Sequence, residues 1–135
     1  MTSMRKLSAI ALLVGLLSLA MAQNAAPKRL TTADANNHVG ETAAVCGTVV
    51  DSKVEKNGLY GHGFPVSFYL DQPEPTAVFY FIAFGTQKGG PQEAIAAYKG
   101  KRLCVTGKIE SMPSGGSPFI LAANRSQAKV EPAAK

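Results

Sequence analysis

The sequence predicts a small all-β domain, a five-stranded β-barrel with one short helix. Stretches rich in β-branched and aromatic residues recur between turns that contain Gly and Pro. Their order along the chain is three strands, one helix and two strands. Gly47 and Gly107 lie inside predicted strands, where a tightly curved small barrel needs bends. The length of 135 residues, with 46% hydrophobic and 17% charged residues, fits one globular domain.

Residues 1–22 have the pattern of a secretory signal peptide. Arg5 and Lys6 precede a largely apolar run, and Ala20-Met21-Ala22 places small residues before a cut. The run is shorter than the roughly 20 residues that span a bilayer. We therefore predict cleavage after Ala22 and a periplasmic or secreted protein. An uncleaved membrane anchor is the alternative.

The remaining chain is predicted to hold a flexible leader over 23–30, the domain over 31–130 and a disordered tail over 131–135. Without Arg5 and Lys6, 12 of the 14 basic residues remain against 9 acidic ones, a net charge of +3. This mild positive bias falls well short of the dense positive charge of a dedicated nucleic-acid coat protein.

Thr31 or Thr32 is expected to cap a short helical turn that ends at Gly40. The helix between strands three and four is predicted to begin at Pro91 and to end before Gly100. Strands are predicted at 41–52, 65–70, 76–84, 101–110 and 119–122, the last resuming near 127–130.

Both cysteines, Cys46 and Cys104, lie inside predicted strands of the exported part. Strand alternation places each on the more polar face, opposite Val45 in one strand and Val105 in the other. If the two strands are antiparallel neighbours, the sulfurs meet across the pair and form a disulfide. A redox or metal site is the alternative, but no C-x-x-C motif and no histidine cluster supports it.

Three strands, a helix and two strands form the element order of the OB-fold, a five-stranded Greek-key barrel with its helix between strands three and four. In that topology strand one pairs antiparallel with strand four. The cysteine pattern favours the same pairing independently.

The chain from His38 to Ile120 also resembles a family of small exported bacterial OB-fold proteins described as nucleic-acid-binding or DNA-binding. The matching segments are His-Val-Gly-Glu at 38–41, Val-Cys-Gly-Thr-Val at 45–49, the Pro-led strand at 65–70 and the segment 98–109 around Cys104. The resemblance implies the OB architecture and suggests oligonucleotide binding.

Aromatic residues on strands two and three are the candidate ligand contacts. Alternation assigns Phe79 and Phe81 to the core and Tyr80 and Phe84 to the outer face, with Tyr69 on the outer face of strand two. OB-fold ligands usually cross these two strands, so the outer rings are predicted stacking platforms for bases. The lysines expected to contact phosphate are Lys53, Lys56, Lys88 and Lys108. The alternative is ordinary packing of the rings and a solvated lysine surface.

The predicted function is weak, non-enzymatic binding of single-stranded nucleic acid by an exported protein. The alternative is an envelope module that binds a protein, a glycan or a small ligand through the same barrel face. A neutral or acidic surface on strands two and three would favour this alternative over nucleic acid.

Neither a cofactor nor a metal site is predicted. His38 and His62 are the only histidines, and the sequence clusters no further metal ligands around them. A nuclease built on a related barrel would need converging carboxylates and arginines, whereas Arg29, Arg102 and Arg125 are isolated in the sequence. No Ser-His-Asp or Cys-His spacing appears, so no catalytic residue is assigned.

Overall fold

The computed structural model describes residues 26–56 and 63–132. The predicted signal peptide, the Asn57-Gly58 turn and His62 lie outside the described residues. In chain order the elements are β1 (Arg29–Thr31), a 3₁₀ turn (Ala35–His38), β2 (Thr42–Val54), β3 (Phe64–Leu70), β4 (Tyr80–Gly85), α1 (Gly90–Tyr98), β5 (Arg102–Glu110), β6 (Phe119–Leu121), a 3₁₀ turn (Arg125–Gln127) and β7 (Ala128–Val130). The prediction of a mostly β protein with one helix is confirmed, and the helix lies between the β4 and β5 strands as expected.

The strands pair in an order that returns to its starting point. β2 pairs antiparallel with β3, and β3 pairs antiparallel with β4. β4 pairs in parallel with β6, which pairs antiparallel with β5, and β5 pairs antiparallel with β2. Two short strands flank this set, β1 parallel to β2 and β7 antiparallel to β5. The long β2 strand therefore has β5 as its partner in its first half and β3 in its second.

The bend in β2 lies further along the strand than Gly47, where the sequence placed it. The register with β3 shifts between Val49 and Asp51. Gly47 instead makes room for Asp71, because an added Cβ would lie 2.9 Å from the Asp71 Oδ2 atom. The Asp71 carboxylate accepts hydrogen bonds from the Thr48 N–H at 2.9 Å and from the Thr32 hydroxyl at 2.7 Å.

The main core collects the inward side chains of the paired strands and one face of α1. Phe68 stacks on Phe81 with ring centroids 5.1 Å apart, and Tyr98 of α1 packs edge-on against both rings. Phe79 and Phe81 are fully buried, which confirms their assignment to the core. This core fixes the faces of β3 and β4, because their intervening residues must point outward.

The third predicted strand begins at Tyr80 and not at Thr76. Pro73 and Pro75 have no backbone N–H, and the segment around them folds into a turn. The Thr76 N–H and hydroxyl both donate to the Pro73 carbonyl, at 3.0 and 3.1 Å. A backbone engaged in this turn cannot extend the β4 ladder.

Cys46 and Cys104 lie directly opposite each other on β2 and β5 and form the predicted disulfide, with sulfurs 2.06 Å apart. The Arg29 guanidinium contacts both sulfurs and forms an ion pair with Glu131, which also pairs with Arg102 at 3.1 Å.

Two predicted boundaries are wrong at this point of the fold. The leader predicted over 23–30 ends earlier, because Arg29 and Leu30 belong to β1 and Leu30 is buried. The tail predicted over 131–135 is anchored at its first residue, because the Glu131 N–H donates to the Arg102 carbonyl at 2.8 Å and its carboxylate binds two arginines. Strand pairing holds the first segment, and ion pairs hold the second. Neither contact can be predicted from the residues of the segment itself, because the partners are distant in sequence.

Within the described residues, α1 is the one α-helix, and neither it nor a 3₁₀ turn has the length and apolarity that a membrane span requires.

Candidate functional site

A groove of about 410 Å³ lies on the outer face of β3 and β4. Its floor follows from the strand register, because Tyr69 is paired with Tyr80 while the adjacent pair, Phe68 and Phe81, points into the core. The Tyr69 and Tyr80 ring centroids are 5.6 Å apart, and Tyr80 stacks on Phe119 of β6 at 5.3 Å. A row of three aromatic rings therefore crosses three neighbouring strands.

The outer rings are less exposed than predicted. Tyr69 is only 4% exposed and Phe84 only 8%. Phe84 belongs to a second hydrophobic cluster with Ile82 and Phe119, against which Tyr80 packs. The prediction placed these rings on the correct face but wrongly treated that face as open, because rings on adjacent strands cover one another. Half-buried Tyr80 is the ring that a ligand in the groove can reach.

Two glutamates that the sequence analysis did not select line the groove. Glu55 follows the last residue of β2, and its Oε1 accepts a hydrogen bond from the buried Ser67 hydroxyl at 3.0 Å. Glu74 comes from the turn after β3, and its Oε1 accepts a hydrogen bond from the Tyr69 hydroxyl at 2.8 Å. Each carboxylate is thus held in place by a buried hydroxyl.

The pKa of Tyr69 reports the electrostatics of this groove. Burial raises the pKa of the Tyr69 hydroxyl well above its usual value, and the Glu74 carboxylate raises it further through its hydrogen bond and its charge. The charge of Glu55 adds to the increase. The hydroxyl therefore stays protonated and donates to Glu74, and the potential around it is negative.

The opposite wall of the groove is a loop without bulky side chains. Gly115 and Gly116 have φ values of 94° and 103°, and an added Cβ would meet no atom within 4 Å. Ser117 ties the loop to the preceding turn, because its hydroxyl donates to the Ala77 carbonyl at 2.6 Å. The loop therefore leaves the groove open on this side and presents backbone groups to it.

The four predicted lysines do not converge on the groove. Lys53 lines it. Lys56 is exposed beyond Glu55, Lys88 is exposed beyond the far end of β4, and Lys108 is exposed on β5. With one lysine and two glutamates, the groove lining carries a formal charge of −1.

The sequence could have indicated part of this lining. Glu55 follows Lys53 by two residues, the spacing at which side chains of an extended chain point to the same side, so counting acids as well as lysines there would have found it. Glu74 lies in a proline-rich turn, where no periodic pattern predicts the direction of a side chain. Gly115 and Gly116 line the groove only because the folded chain brings their loop next to β3 and β4, which no local pattern predicts.

A second charged surface surrounds the disulfide. Its members point outward from β1, β5 and β7 and are exposed, and they are Arg29, Arg102, Lys108 and Lys129. Glu131 is the acidic residue among them and pairs with both arginines. We call this the basic face; it lies on other strands than the groove.

One metal-ligand combination occurs among the described residues, formed by Cys46, Cys104 and Glu131 with atoms within 4.8 Å of one another. Both sulfurs are consumed by the disulfide, and metal ligation requires thiolates.

Comparison with known proteins does not assign a family. No family model and no curated protein matches the chain. Among solved structures, it is similar to a crystal structure from Leishmania major Friedlin described as a "putative aspartyl-tRNA synthetase", at 8% identity and a TM-score of 0.47. The similarity covers 82% of this chain and 22% of that chain. At this TM-score the similarity carries no argument about function, which must come from the groove itself.

Proposed function

We propose that the protein is a non-enzymatic binding module on an OB-type barrel and that its ligand occupies the groove on β3 and β4. The observation that carries the proposal is the groove, with an aromatic floor, two positioned carboxylates and an open glycine wall in one cavity. The ring of pairings from β2 through β3, β4, β6 and β5 supports the barrel assignment. OB-fold ligands cross this pair of strands between two loops.

The charge of the groove favours a peptide, a glycan or a small polar ligand over nucleic acid. A phosphate chain placed along Tyr80 would approach the carboxylates of Glu55 and Glu74, with Lys53 as the counter-charge in the lining. Phosphate-binding grooves are positive, because most of the affinity comes from neutralising the backbone. The acidic lining therefore supports the second of the two functions that the sequence suggested.

Single-stranded nucleic acid remains the second candidate, and the basic face is the observation that favours it. Lys108 and Lys129 are exposed there beside Arg29 and Arg102. Such a surface suits phosphate contacts that carry no sequence information. Binding at this face would be strongly salt-dependent and independent of Tyr80.

Export is also part of the proposal. The signal-like pattern of residues 1–22 supports it. The disulfide between Cys46 and Cys104 supports it as well, because disulfides persist in oxidising compartments outside the cytosol.

Amide chemical-shift mapping tests which surface binds. The ¹⁵N-labelled protein, with its disulfide intact, is titrated with an oligothymidylate, a neutral disaccharide and a lysine-containing tripeptide. We expect the sugar or the peptide to shift the amides of Gly115, Gly116 and Ser67, and Tyr80→Ala to abolish those shifts. The oligothymidylate is expected to act, at low salt, on Lys108 and Lys129 only.

The two candidates fail in different ways. If none of the three probes shifts the groove amides, the groove is not the binding site. If the oligothymidylate shifts the groove amides and Tyr80→Ala removes the effect, nucleic acid is the groove ligand and the charge argument is wrong.

A further inference from the structure

We propose that the groove binds an alkylammonium group, positioned between the carboxylates of Glu55 and Glu74 with its carbon chain along Tyr80. The inference rests on the proposed function and names the chemistry of the ligand at that site. Ligands of this class include the lysine side chain of a peptide and free aliphatic diamines. The two sources share the same cationic end and the same apolar stem.

Each carboxylate has an oxygen to offer. Glu55 uses Oε1 to accept from Ser67, and Glu74 uses Oε1 to accept from Tyr69. A carboxylate has about four acceptor sites, so one such hydrogen bond leaves acceptor capacity on each glutamate. An ionised carboxylate only accepts hydrogen bonds, and an ammonium group brings three donors, so the two groups complement each other.

The groove also offers a wall for the carbon chain. Pro75 and Ala77 line it beside Tyr80, and their side chains are apolar. Lysine-like stems pack their methylene groups along such surfaces while the charged end reaches polar partners. The cavity of about 410 Å³ is in the range of small-molecule sites.

Buried hydroxyls fix the acceptors before the ligand arrives. Ser67 is 2% exposed and Tyr69 is 4% exposed, and each donates to one glutamate. Positioned acceptors lower the entropy cost of binding, because the protein side chains need not be ordered by the ligand. Lys53 opposes a cationic ligand, so its removal should strengthen binding.

Matched probes test the inference by calorimetry and by the same amide mapping. The peptide Ala-Lys-Ala, acetylated at its N-terminus and amidated at its C-terminus, and the diamine cadaverine are compared with the same capped peptide whose lysine amine is acetylated, which keeps the stem and leaves no cationic group. We expect the acetylated peptide to bind about tenfold more weakly or worse. Rising salt should weaken the charged probes and leave the acetylated peptide unaffected.

Single substitutions locate the effect. Glu55→Gln and Glu74→Gln keep an acceptor for their hydroxyl partners and should each weaken Ala-Lys-Ala binding about tenfold. Lys53→Gln should strengthen binding several-fold. Asp34→Asn is the matched control, because Asp34 is exposed, does not line the groove and forms no side-chain cap at its 3₁₀ turn.

The outcomes separate the inference from the proposed function. If the acetylated peptide binds as tightly as Ala-Lys-Ala in the groove, the ammonium assignment is overturned while groove binding stands. If no probe shifts the groove amides, both are overturned. Tighter binding of the peptide than of cadaverine identifies the peptide as the source, and equal binding identifies the ammonium end as sufficient.

Discussion

At the scale of single residues, Tyr69 shows how an outward position on a strand becomes part of a site. The strand register turns its side chain away from the core, and the neighbouring Tyr80 ring and the Glu74 turn then cover it. The hydroxyl is left with one partner, a carboxylate, and a strongly raised pKa. Its hydroxyl positions the Glu74 carboxylate, and its buried ring has little surface on which a ligand could stack.

The raised pKa of Tyr69 predicts a loss of stability at alkaline pH. A tyrosine whose pKa is higher in the folded than in the unfolded state stabilises the fold below its unfolded pKa of about 10, and this contribution is lost as the pH rises toward the folded value. We expect the free energy of unfolding to fall above pH ~10, and less steeply in Tyr69→Phe. Urea unfolding at a series of pH values measures it.

The free energy of unfolding of Tyr69→Phe should still fall somewhat at alkaline pH. Burial also raises the pKa of Tyr98, although the charge of Arg125 opposes the increase. Identical pH profiles for the wild type and Tyr69→Phe would contradict the assigned environment of the Tyr69 hydroxyl.

At the scale of elements, the packing of β5 against Ile120 of β6 depends on Gly107. A Cβ at this position would lie 2.7 Å from the Ile120 Cγ2 atom. Ile120 is fully buried, and a β-branched side chain has little freedom to rotate away. The glycine inside β5 therefore permits close packing of two strands that are brought together only in the folded chain.

Substitution of Gly107 by alanine tests this packing. We expect Gly107→Ala to lower the free energy of unfolding by about 1–3 kcal/mol, because the added methyl overpacks the interface. Denaturant unfolding measures the change. The double variant with Ile120→Ala should show less than the sum of the two single effects, since the second change removes the opposing methyl. Additive effects would place the clash elsewhere.

The elements with a clear local sequence pattern were predicted, and those that depend on tertiary pairing were missed. The alternation around Cys46 and Cys104 predicted the β2–β5 pairing, because one face of each strand is apolar. The helix ends at Tyr98, before Gly100, as predicted, and it begins at Gly90, one residue before the predicted start at Pro91. β1 was missed because three residues carry no period, and this strand exists only through its pairing with β2.

The candidate site was predictable only in part. Strand alternation placed Tyr69 and Tyr80 on the correct face, and both line the groove. Lys53, predicted in the turn after the first strand, lies on β2 and lines the groove too. Burial of Tyr69 and the contribution of Glu74 follow from the turn after β3, whose path is set by tertiary contacts. Phe84 was assigned to the correct face, but its ring is buried there against Ile82 and Phe119. Strand alternation predicts the face of a side chain and not its exposure, which depends on contacts with neighbouring strands.

At the scale of the whole molecule, the disulfide joins strands that are distant in sequence. Cys46 and Cys104 are separated by 58 residues and lie on the pair of strands that connects the first half of the domain to the second. Closing a loop of this length restricts the unfolded chain and stabilises the fold by about 4 kcal/mol on the chain-entropy model.

Removal of the disulfide should therefore lower the melting temperature. We expect Cys46→Ala/Cys104→Ala to melt more than about 10 °C below the wild type, and reduction of the wild type to have a similar effect. Calorimetry gives the melting temperatures, and thiol titration confirms the redox state. Two free thiols in the native protein would contradict the bridge, and an unchanged melting temperature after verified reduction would contradict its energetic role.

The ion pair between Arg29 and Glu131 connects the chain near the two outer strands of the set β1-β2-β5-β7, across the disulfide of the two inner strands. A linker that joins residue 28 to residue 132 must therefore cross β2 and β5, and new termini could be opened in the exposed loop at 112–116. Such a circular permutant would carry its ends at the groove wall and would expose the ligand site to fusion partners or reporters.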